Sequence, residues 1–197
     1  MDPVNPKAAE TGSSAASSRS LSKPGASWPD GYGRLIFDSV DSTLSEAARR
    51  ASELTGPTWI LAQEQTAARG RRGRSWATPR GNFAATLMLR HGEEPSSAAL
   101  RSFVASLALR RAFVATTRDE SAFALKWPND VLLNGGKVAG ILLESIGDHL
   151  AIGIGVNLAH APGADQVEAN ALRPVSLAGE TGVTVTPTAF LDVLAKE

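Results

Sequence analysis

The segment EQTAARGRRGRSW, from Glu64 to Trp76, holds four arginines within six positions, with Gly70 and Gly73 between them. A protein core could not bury so many unpaired charges, so the segment is predicted to be a solvated loop. The glycines allow its backbone to approach a ligand closely, and the guanidinium groups present planar forks that match phosphate or carboxylate. The segment therefore predicts a loop that closes over an anionic ligand.

The composition of the whole chain favours a small ligand over a nucleic acid. The 197 residues include 20 basic and 20 acidic side chains, so the formal net charge is zero. A neutral protein has no overall electrostatic attraction to DNA or to a membrane surface. No apolar run reaches the roughly 20 residues of a membrane span. We therefore expect a cytoplasmic enzyme or binding domain, with neither DNA nor a membrane as a partner.

The reactive side chains also limit the chemistry. Cysteine is absent, which excludes disulfides, thiolate metal sites and cysteine nucleophiles. The histidines, at positions 91, 149 and 160, lack the spacing of metal ligands, and they offer no clear base for a serine nucleophile. This pattern favours phosphoryl or nucleotidyl chemistry that depends on positioning and electrostatics.

Apolar periodicity divides the chain into a tail and a folded domain. Residues 1 to about 30 are rich in Ser, Ala, Pro and Gly and are predicted to be disordered, followed by a domain over residues 31–197. Seven strands are predicted in that domain: Arg34–Phe37, Trp59–Ala62, Asn82–Arg90, Phe123–Lys126, Val131–Leu133, Val138–Leu143 and His149–Leu158. The predicted fold class is α/β (α+β), a mixed sheet of about six or seven strands with helices mainly on one face.

Three main helices are predicted. The first begins at Thr43, which has the spacing of a capping box with Glu46, and it is stopped by Gly56-Pro57. The second runs from Pro95 to about Thr116, and five of its apolar residues are expected to face the core: Leu100, Phe103, Val104, Leu107 and Phe113. The last opens at Thr186-Pro187. The chain stops inside it, which suggests that a longer protein has been cut or that another segment followed.

Several polar positions complete a candidate site, although each also has an ordinary structural interpretation. Ser42 and Thr43 either cap their helix or hold a polar group of a ligand. Asn129 and Asp130, in a tight turn after the strand that ends at Lys126, either make turn hydrogen bonds or hold Mg²⁺ through their oxygens. Each interpretation is compatible with the sequence.

The strands that follow this turn contribute further candidates. Lys137 is either a solvated edge residue or an ammonium group that reaches inward. Gly153 and Gly155 leave one face of their strand empty, which makes space for a ligand or another backbone. Asn157, directly after that strand, either caps it or belongs to the site.

Taken together, these segments resemble the catalytic domain of biotin protein ligases. The matching residues are Asp41-Ser42-Thr43, Glu64-Gln65, RGRRGRSW ending at Trp76, KWPNDV from Lys126 to Val131, KVAGIL from Lys137 to Leu142, and GIGVN from Gly153 to Asn157. Their order holds over about residues 33–197. The resemblance implies a fold similar to that of class II aminoacyl-tRNA synthetases and of biotin–lipoate ligases.

The resemblance also implies a two-step reaction, that of a biotin–[acetyl-CoA carboxylase] ligase. With ATP and Mg²⁺, the carboxylate of biotin would attack the α-phosphate and give biotinyl-5′-adenylate and pyrophosphate. The ε-amine of one lysine on a biotin carboxyl carrier protein would then attack the adenylate and release AMP. The expected partner is therefore the carrier protein of acetyl-CoA carboxylase or of a related carboxylase.

Residue roles follow from the same resemblance. Lys137 and Arg71 are implied as catalytic residues, with Lys137 between the carboxylate and the α-phosphate. The residues implied in biotin binding are Ser42, Thr43, Gln65, Arg69, Gly70, Arg71, Lys137 and Gly140. Those implied in binding ATP or the adenylate are Arg72, Trp76, Lys126, Asn129, Asp130 and Asn157, and Asp130 is the implied Mg²⁺ ligand.

The sequence departs from the family pattern at two positions. Ala68 stands where the family usually has the first glycine of the loop, and Leu44 stands where Asn commonly follows Ser-Thr. The small C-terminal β-barrel domain of the family is not found after the catalytic domain, and no helix-turn-helix domain precedes it, so no repressor function is expected.

Three other functions are compatible with parts of the sequence. One is a lipoate or octanoate ligase or transferase of the same fold, although the KWPND run and the arginine loop favour biotin. Another is a truncated, non-catalytic domain that binds biotin. The third is an RNA-binding module that uses the arginine run as a basic arm, which would call for stacking aromatic residues near the arginines.

Overall fold

Seven strands form one mixed sheet in the computed structural model of the chain, which describes residues 28–92, 94–163, 166–168 and 170–197. In chain order they are β1 (Gly33–Phe37), β2 (Thr58–Ala62), β3 (Phe83–Arg90), β4 (Phe123–Lys126), β5 (Asp130–Leu133), β6 (Gly136–Ile146) and β7 (His149–Val156). Across the sheet the order is β1-β2-β3-β7-β6-β5-β4. Only β1 and β2 pair in parallel, and every other neighbouring pair is antiparallel. The predicted mixed sheet is confirmed.

The helices lie unequally on the two faces of the sheet. They are α1 (Thr43–Arg50), α2 (Pro95–Ala99), α3 (Arg101–Thr117), α4 (Leu177–Thr181) and α5 (Pro187–Leu194). The larger core cluster joins one sheet face to α3 and α5, where the rings of Phe83 and Phe113 both contact Phe190. A smaller cluster on the opposite face packs Leu44 and Ala47 of α1 against the sheet. The second face is therefore only partly covered, and that leaves room for a site.

Strand alternation decides which side chains reach each face. In β3, Phe83 and Ala85 belong to the larger cluster, whereas Met88 belongs to the smaller one. In β7 the same period of two sends Ile152 and Ile154 into the larger cluster, and it leaves the intervening glycines on the partly covered face.

The run Asn134-Gly135-Gly136 in the sequence predicts a hairpin between two strands, and β5 and β6 do turn at Asn134-Gly135. Both residues have positive φ, 49° and 77°. A two-residue turn with positive φ at both positions matches the twist of antiparallel strands, and asparagine followed by glycine adopts it readily. This turn places Lys137 one residue into β6.

The orientation predicted for the long helix is wrong for four of its five apolar residues. Phe113 is buried, but the other four are exposed: Leu100 58%, Phe103 46%, Val104 59% and Leu107 44%. The helix is apolar on two sides, and the side that packs on the sheet consists mainly of Ala105, Leu109, Ala112 and Phe113. Periodicity alone could not choose between these sides. Leu100 also separates the predicted helix into α2 and α3.

The chain ends differ from the predictions in detail. Residues 1–27 of the predicted tail lie outside the described residues. Trp28 is buried, donates its indole N–H to the carbonyl of Tyr32 at 2.8 Å, and packs under the Arg34 guanidinium. The described part of the chain therefore begins with a packed residue near the predicted boundary at about residue 30. The last helix ends at Leu194, so the chain does not stop inside it.

None of the helices among the described residues combines the length and the apolar character needed to cross a membrane.

Candidate active site

A cavity of about 280 Å³ lies on the partly covered face of the sheet. Gly153 and Gly155 of β7 and Gly140 of β6 line it. A Cβ atom at Gly153 would lie 2.8 Å from Leu44 Cδ1, and one at Gly155 would lie 2.6 Å from Trp76 Cε2. Glycine is therefore required at these two positions because α1 and the loop approach the strand so closely.

One part of the cavity is lined by a connected set of amide and hydroxyl groups. Gln65 Oε1 accepts hydrogen bonds from the backbone N–H of Thr43 at 2.7 Å and from its hydroxyl at 3.2 Å. Gln65 Nε2 donates to Thr78 Oγ1 at 3.0 Å, and Thr86 donates to Thr43 Oγ1 at 2.9 Å. Thr43 and Thr86 are buried. These linked hydrogen bonds hold the amide of Gln65 in a fixed orientation at the wall of the cavity.

The capping box predicted for Thr43 and Glu46 does not form. The N-cap of α1 is Ser42, whose side chain makes no capping hydrogen bond. Gln65 instead accepts from the first N–H group of the helix, and Glu46 pairs with Arg49 and Arg50. The Ser42 hydroxyl, which also lines the cavity, is therefore not used as a helix cap.

A cationic part of the cavity is formed by Lys137. Its Nζ atom lies 2.8 Å from Asp130 Oδ1 and 5.5 Å from the centre of the Trp76 ring. Asp130 Oδ1 is buried and accepts no hydrogen bond of good geometry from the described residues, so its contact with Lys137 is an ion pair without directed bonding. Lys137 is thus an inward-facing ammonium group, and the interpretation as a solvated edge residue is wrong.

Asp130 is also the residue that best fits a divalent ion. Among the described residues no group of three or more His, Cys, Asp or Glu side chains could hold a metal. Mg²⁺ commonly binds proteins through one or two carboxylates and takes its other ligands from phosphates and water. Asp130 supplies one carboxylate to the cavity and suits that mode, with its Oδ1 atom beside the Lys137 ammonium at 2.8 Å.

The arginine loop is folded back on itself. Gly70 donates its N–H to the carbonyl of Arg74 at 2.7 Å, and Trp76 donates to the carbonyl of Ala68 at 3.1 Å. Between these bonds Arg71–Gly73 form one 3₁₀ turn, in which Arg72 has φ 59°. Ala68 itself is buried and has no positive φ. The family glycine at position 68 is thus not needed for this loop conformation.

Three of the loop arginines are paired with protein groups. Arg69 pairs with Glu144, with Nη2 2.8 Å from Oε2, and Arg71 Nη1 donates to Asn129 Oδ1 at 3.2 Å. Arg74 pairs with Glu168 at 2.8 Å. Arg72 makes no hydrogen bond or ion pair within the part of the chain that the structure describes. The loop is therefore anchored at several points, with one guanidinium left for an anion.

Asn129 joins this loop to the sheet. Its Nδ2 donates to the carbonyl of Ile141 at 2.9 Å, and the N–H of Ile141 donates back to the Asn129 carbonyl at 2.9 Å. Since Asn129 Oδ1 already accepts from Arg71, this side chain has a structural role in the turn and also contacts the loop.

The cavity brings together all but one of the residues singled out in the sequence. Those that line it are Ser42, Thr43, Gln65, Arg69, Gly70, Arg71, Arg72, Trp76, Lys126, Asn129, Asp130, Lys137 and Gly140. Asn157 is not among the lining residues; it is buried and donates to the carbonyl of Val175 at 3.1 Å. Sequence reasoning gave no lining role to Leu142, Ile154 and Arg74. Arg74 could have been found, since it belongs to the quoted run.

An ionic cluster supports the start of α1 beside the cavity. Arg49 donates to both oxygens of Asp41, at 2.7 and 3.0 Å, and this hydrogen bonding lowers the pKa of Asp41 from 3.8 to about 2. For Glu46, burial raises the pKa, but hydrogen bonds from Arg49 and Arg50 outweigh it and the net pKa is lowered. Both carboxylates therefore stay ionised near neutral pH.

Known proteins are similar to this chain in sequence and in fold. A sequence profile of the biotin/lipoate A/B protein ligase family matches residues 35–157. The chain is 56% identical over 161 residues to a biotin–[acetyl-CoA-carboxylase] ligase of Paracoccus denitrificans, covering 79% of this chain and 67% of that protein. A Mycobacterium tuberculosis protein of the same name is 34% identical over 71% of this chain and 53% of its own length.

Solved structures agree with the sequence comparison. A biotin protein ligase from Aquifex aeolicus, solved in complex with biotin and ATP, is similar with a TM-score of 0.72 at 29% identity, covering 83% of this chain and 67% of that one. The chain thus spans between about half and two-thirds of the length of these relatives.

Proposed function

The chain belongs to the biotin/lipoate A/B protein ligase family, and we propose that its cavity activates biotin with ATP and transfers the biotinyl group to a lysine of a carrier protein. One observation carries the proposal. The fixed amide of Gln65 and the inward ammonium of Lys137 line the same cavity, under an arginine loop. A ligand with a polar ring at one end and a carboxylate at the other fits that arrangement.

In the first step a carboxylate oxygen attacks the α-phosphorus of ATP. A new P–O bond forms while the bond to the β-phosphate oxygen breaks, so pyrophosphate leaves and an acyl adenylate remains. Negative charge increases on the non-bridging α-phosphate oxygens, and the Lys137 ammonium stabilises it from its fixed place beside Trp76. A free carboxylate does not acylate amines at neutral pH, so this step supplies the leaving group.

Asp130 would hold Mg²⁺ together with the phosphates of the nucleotide. When bound, the ion neutralises phosphate charge and orients the pyrophosphate leaving group. The 2.8 Å contact between Lys137 and Asp130 keeps the ammonium group at the same end of the cavity.

In the second step the neutral ε-amine of the carrier lysine attacks the acyl carbon. An amide bond forms, AMP leaves with the electrons of the anhydride bond, and the amine proton passes to solvent. The adenylate is also open to water, so it must be shielded until the carrier arrives. The anchored arginine loop, with Trp76 packed on Gly155, provides that cover.

The polar wall of the cavity favours biotin over lipoate or octanoate. A ureido ring offers two N–H donors and one carbonyl acceptor, which complement the hydroxyl groups of Ser42 and Thr43 and the amide of Gln65. An alkyl or dithiolane end has no donor or acceptor for these groups, so it would displace water from the polar wall without replacing its hydrogen bonds, and sites of this kind discriminate strongly.

The acceptor would be a biotin carboxyl carrier protein of acetyl-CoA carboxylase or of a related carboxylase. The name of the Paracoccus denitrificans relative supports this choice. The cytoplasmic location that the sequence predicts would give the proposed reaction access to ATP.

The test is ATP–pyrophosphate exchange with Mg²⁺, adding biotin, lipoate or octanoate in turn. We expect exchange that depends on biotin and a stoichiometric transfer to added carrier protein. Exchange driven equally well by octanoate would contradict the biotin assignment while leaving acyl-adenylate chemistry in place. Biotin binding without exchange would instead support a non-catalytic binding domain.

A further inference from the structure

We propose that Glu144 and Ser45 are positioning residues that fix the arginine loop through the side chain of Arg69. The inference rests on the proposed function in one respect, because the loop has to cover an adenylate for the anchor to affect the reaction. The contacts of Arg69 with Glu144 and Ser45, called the anchor below, are present in the protein without any ligand.

The guanidinium group of Arg69 is held at three points. Its Nε donates to Glu144 Oε1 at 3.2 Å, Nη2 donates to Glu144 Oε2 at 2.8 Å, and Nη1 donates to Ser45 Oγ at 3.0 Å. The paired arrangement of two parallel hydrogen bonds is the strongest geometry for arginine and carboxylate. Glu144 lies on β6 and Ser45 on α1. The loop is therefore tied to two regular elements at once.

The other paired arginines of the loop have weaker contacts. Arg71 makes a single hydrogen bond to the neutral amide of Asn129. Arg74 pairs with Glu168, and both of those side chains are more than half exposed, whereas the Arg69 and Glu144 side chains are 39% and 30% exposed. Exposed pairs are screened by water and salt. Arg69 is thus the main anchor.

The position of Arg69 in the loop explains what the anchor controls. Arg69 forms an isolated β-bridge with Ser75. On either side of it in the chain, the Gly70 N–H donates to the carbonyl of Arg74, and the carbonyl of Ala68 accepts from the N–H of Trp76. Fixing Arg69 therefore fixes the base of the 3₁₀ turn and the backbone that delivers the Trp76 ring to Gly155. The side chain of Arg69 is occupied by protein, so a ligand at this point would meet the loop backbone.

The first test does not require any activity. Trypsin cleaves after arginine, and cleavage within residues 69–74 requires the loop to open. For Glu144→Ala we expect the cleavage rate in this loop to rise about five- to tenfold, which is the effect of roughly 1–1.4 kcal/mol on the opening equilibrium. Ser45→Ala should have a smaller effect in the same direction.

The matched control is Glu120→Ala. Glu120 also pairs with an arginine, Arg110, at 3.2 Å, but on the helix-covered side of the sheet. This control should leave the loop cleavage rate unchanged. Equal cleavage in Glu144→Ala, Glu120→Ala and the native chain would overturn the anchor. Circular dichroism melting of each variant distinguishes local opening from global unfolding.

The second test measures loss of preformed biotinyl adenylate in the absence of carrier, by release of AMP. We expect Glu144→Ala to raise this release several-fold while the kcat of pyrophosphate exchange changes little. Glu144→Gln keeps one acceptor oxygen, so its rate of AMP release should lie between the rates of the native chain and of Glu144→Ala. Faster proteolysis with unchanged adenylate loss would contradict the role in retention. If the native chain gives no biotin-dependent exchange, the proposed function fails, and the proteolysis result still decides the anchor.

Discussion

The indole ring of Trp76 lies directly against Gly155, so close that a Cβ atom at Gly155 would lie 2.6 Å from Trp76 Cε2. Gly155 belongs to the central strand β7, whereas Trp76 ends the arginine loop. The floor of the cavity and its cover are therefore in contact, and a single methyl group on the floor would displace the cover.

Gly155→Ala should therefore weaken catalysis without unfolding the protein. The overlap costs about 1–3 kcal/mol if the ring cannot move, and the half-buried Trp76 relieves it by shifting with its loop. We expect a raised KM for biotin and faster loss of adenylate, measured by pyrophosphate exchange and AMP release. Gly92→Ala is the control, because a Cβ atom there would have no neighbour within 4 Å among the described residues. Equal effects at positions 155 and 92 would contradict the contact.

Lys137→Ala should lower the rate of adenylate formation by about 10²–10³-fold, the usual effect of removing one group that stabilises transition-state charge. It also leaves the buried Asp130 oxygen without its ion pair, so the free energy of unfolding should fall. The double variant Lys137→Ala with Asp130→Asn should regain stability but not activity. A double variant that regained pyrophosphate exchange would remove Lys137 from the proposed reaction.

Arg71→Gly should let the adenylate escape. Arg71 ties the 3₁₀ turn to Asn129 by one 3.2 Å hydrogen bond, and glycine removes that bond and adds backbone freedom. We expect a several-fold rise in biotin labelling of lysines on a bystander protein such as serum albumin. Arg118→Gly is a control, since Arg118 lies at the C-cap of α3 and has the left-handed conformation that glycine adopts easily. Labelling confined to the carrier in Arg71→Gly would contradict the role of the turn.

Much of the fold follows from the sequence because β3 and β7 alternate between the two faces of the sheet. The glycines of β7 predicted an open strand face, and Asn134-Gly135 predicted the hairpin that places Lys137. The cavity then follows from the sheet, because β6 and β7 are neighbours and their glycines lie on one face. The local pattern of apolar residues was sufficient to predict a segment wherever one periodicity described all of that segment.

The sequence was insufficient where partners are distant in the chain. Glu144 is 75 residues from Arg69, and no spacing rule connects them. The cap of α1 came from Gln65, 22 residues away, instead of the local Glu46. In α3 the apolar residues occupy two sides, so the choice of the buried side depended on the sheet beneath it.

The Asp41–Arg49 pair predicts a specific response to acid. The folded-state pKa of Asp41, about 2, is below its ordinary value of 3.8, so the unfolded chain binds the proton more readily. The stabilisation is thus fully present above pH 4 and is lost as the pH falls towards 2. For this partly exposed pair we expect less than about 1 kcal/mol.

Asp41→Asn should therefore reduce the free energy of unfolding at pH 7 and flatten its decline between pH 4 and pH 2, as measured by urea titration at each pH. Asp38→Asn is the control, since Asp38 is exposed and makes no ion pair among the described residues. If both variants follow the pH dependence of the native chain, the pair has no energetic role.

For Asn157 the resemblance and the structure favour different roles, contact with ATP and a structural hydrogen bond to Val175. The resemblance implies contact with ATP, yet Asn157 is 3% exposed and donates to the carbonyl of Val175, whose own N–H donates to the Lys137 carbonyl at 3.0 Å. Asn157→Ala would leave the Val175 carbonyl unpaired, so we expect a loss of about 1–3 kcal/mol in unfolding free energy.

The same variant should leave the KM for ATP unchanged in pyrophosphate exchange assayed well below its melting temperature. Asn129→Ala is the comparison, because Asn129 lines the cavity and contacts the loop, and its KM for ATP should rise. A raised KM in Asn157→Ala with unaltered stability would instead favour direct contact with the nucleotide. In that case the segment that Asn157 holds would have to move away when ATP binds, because the side chain is buried beneath it.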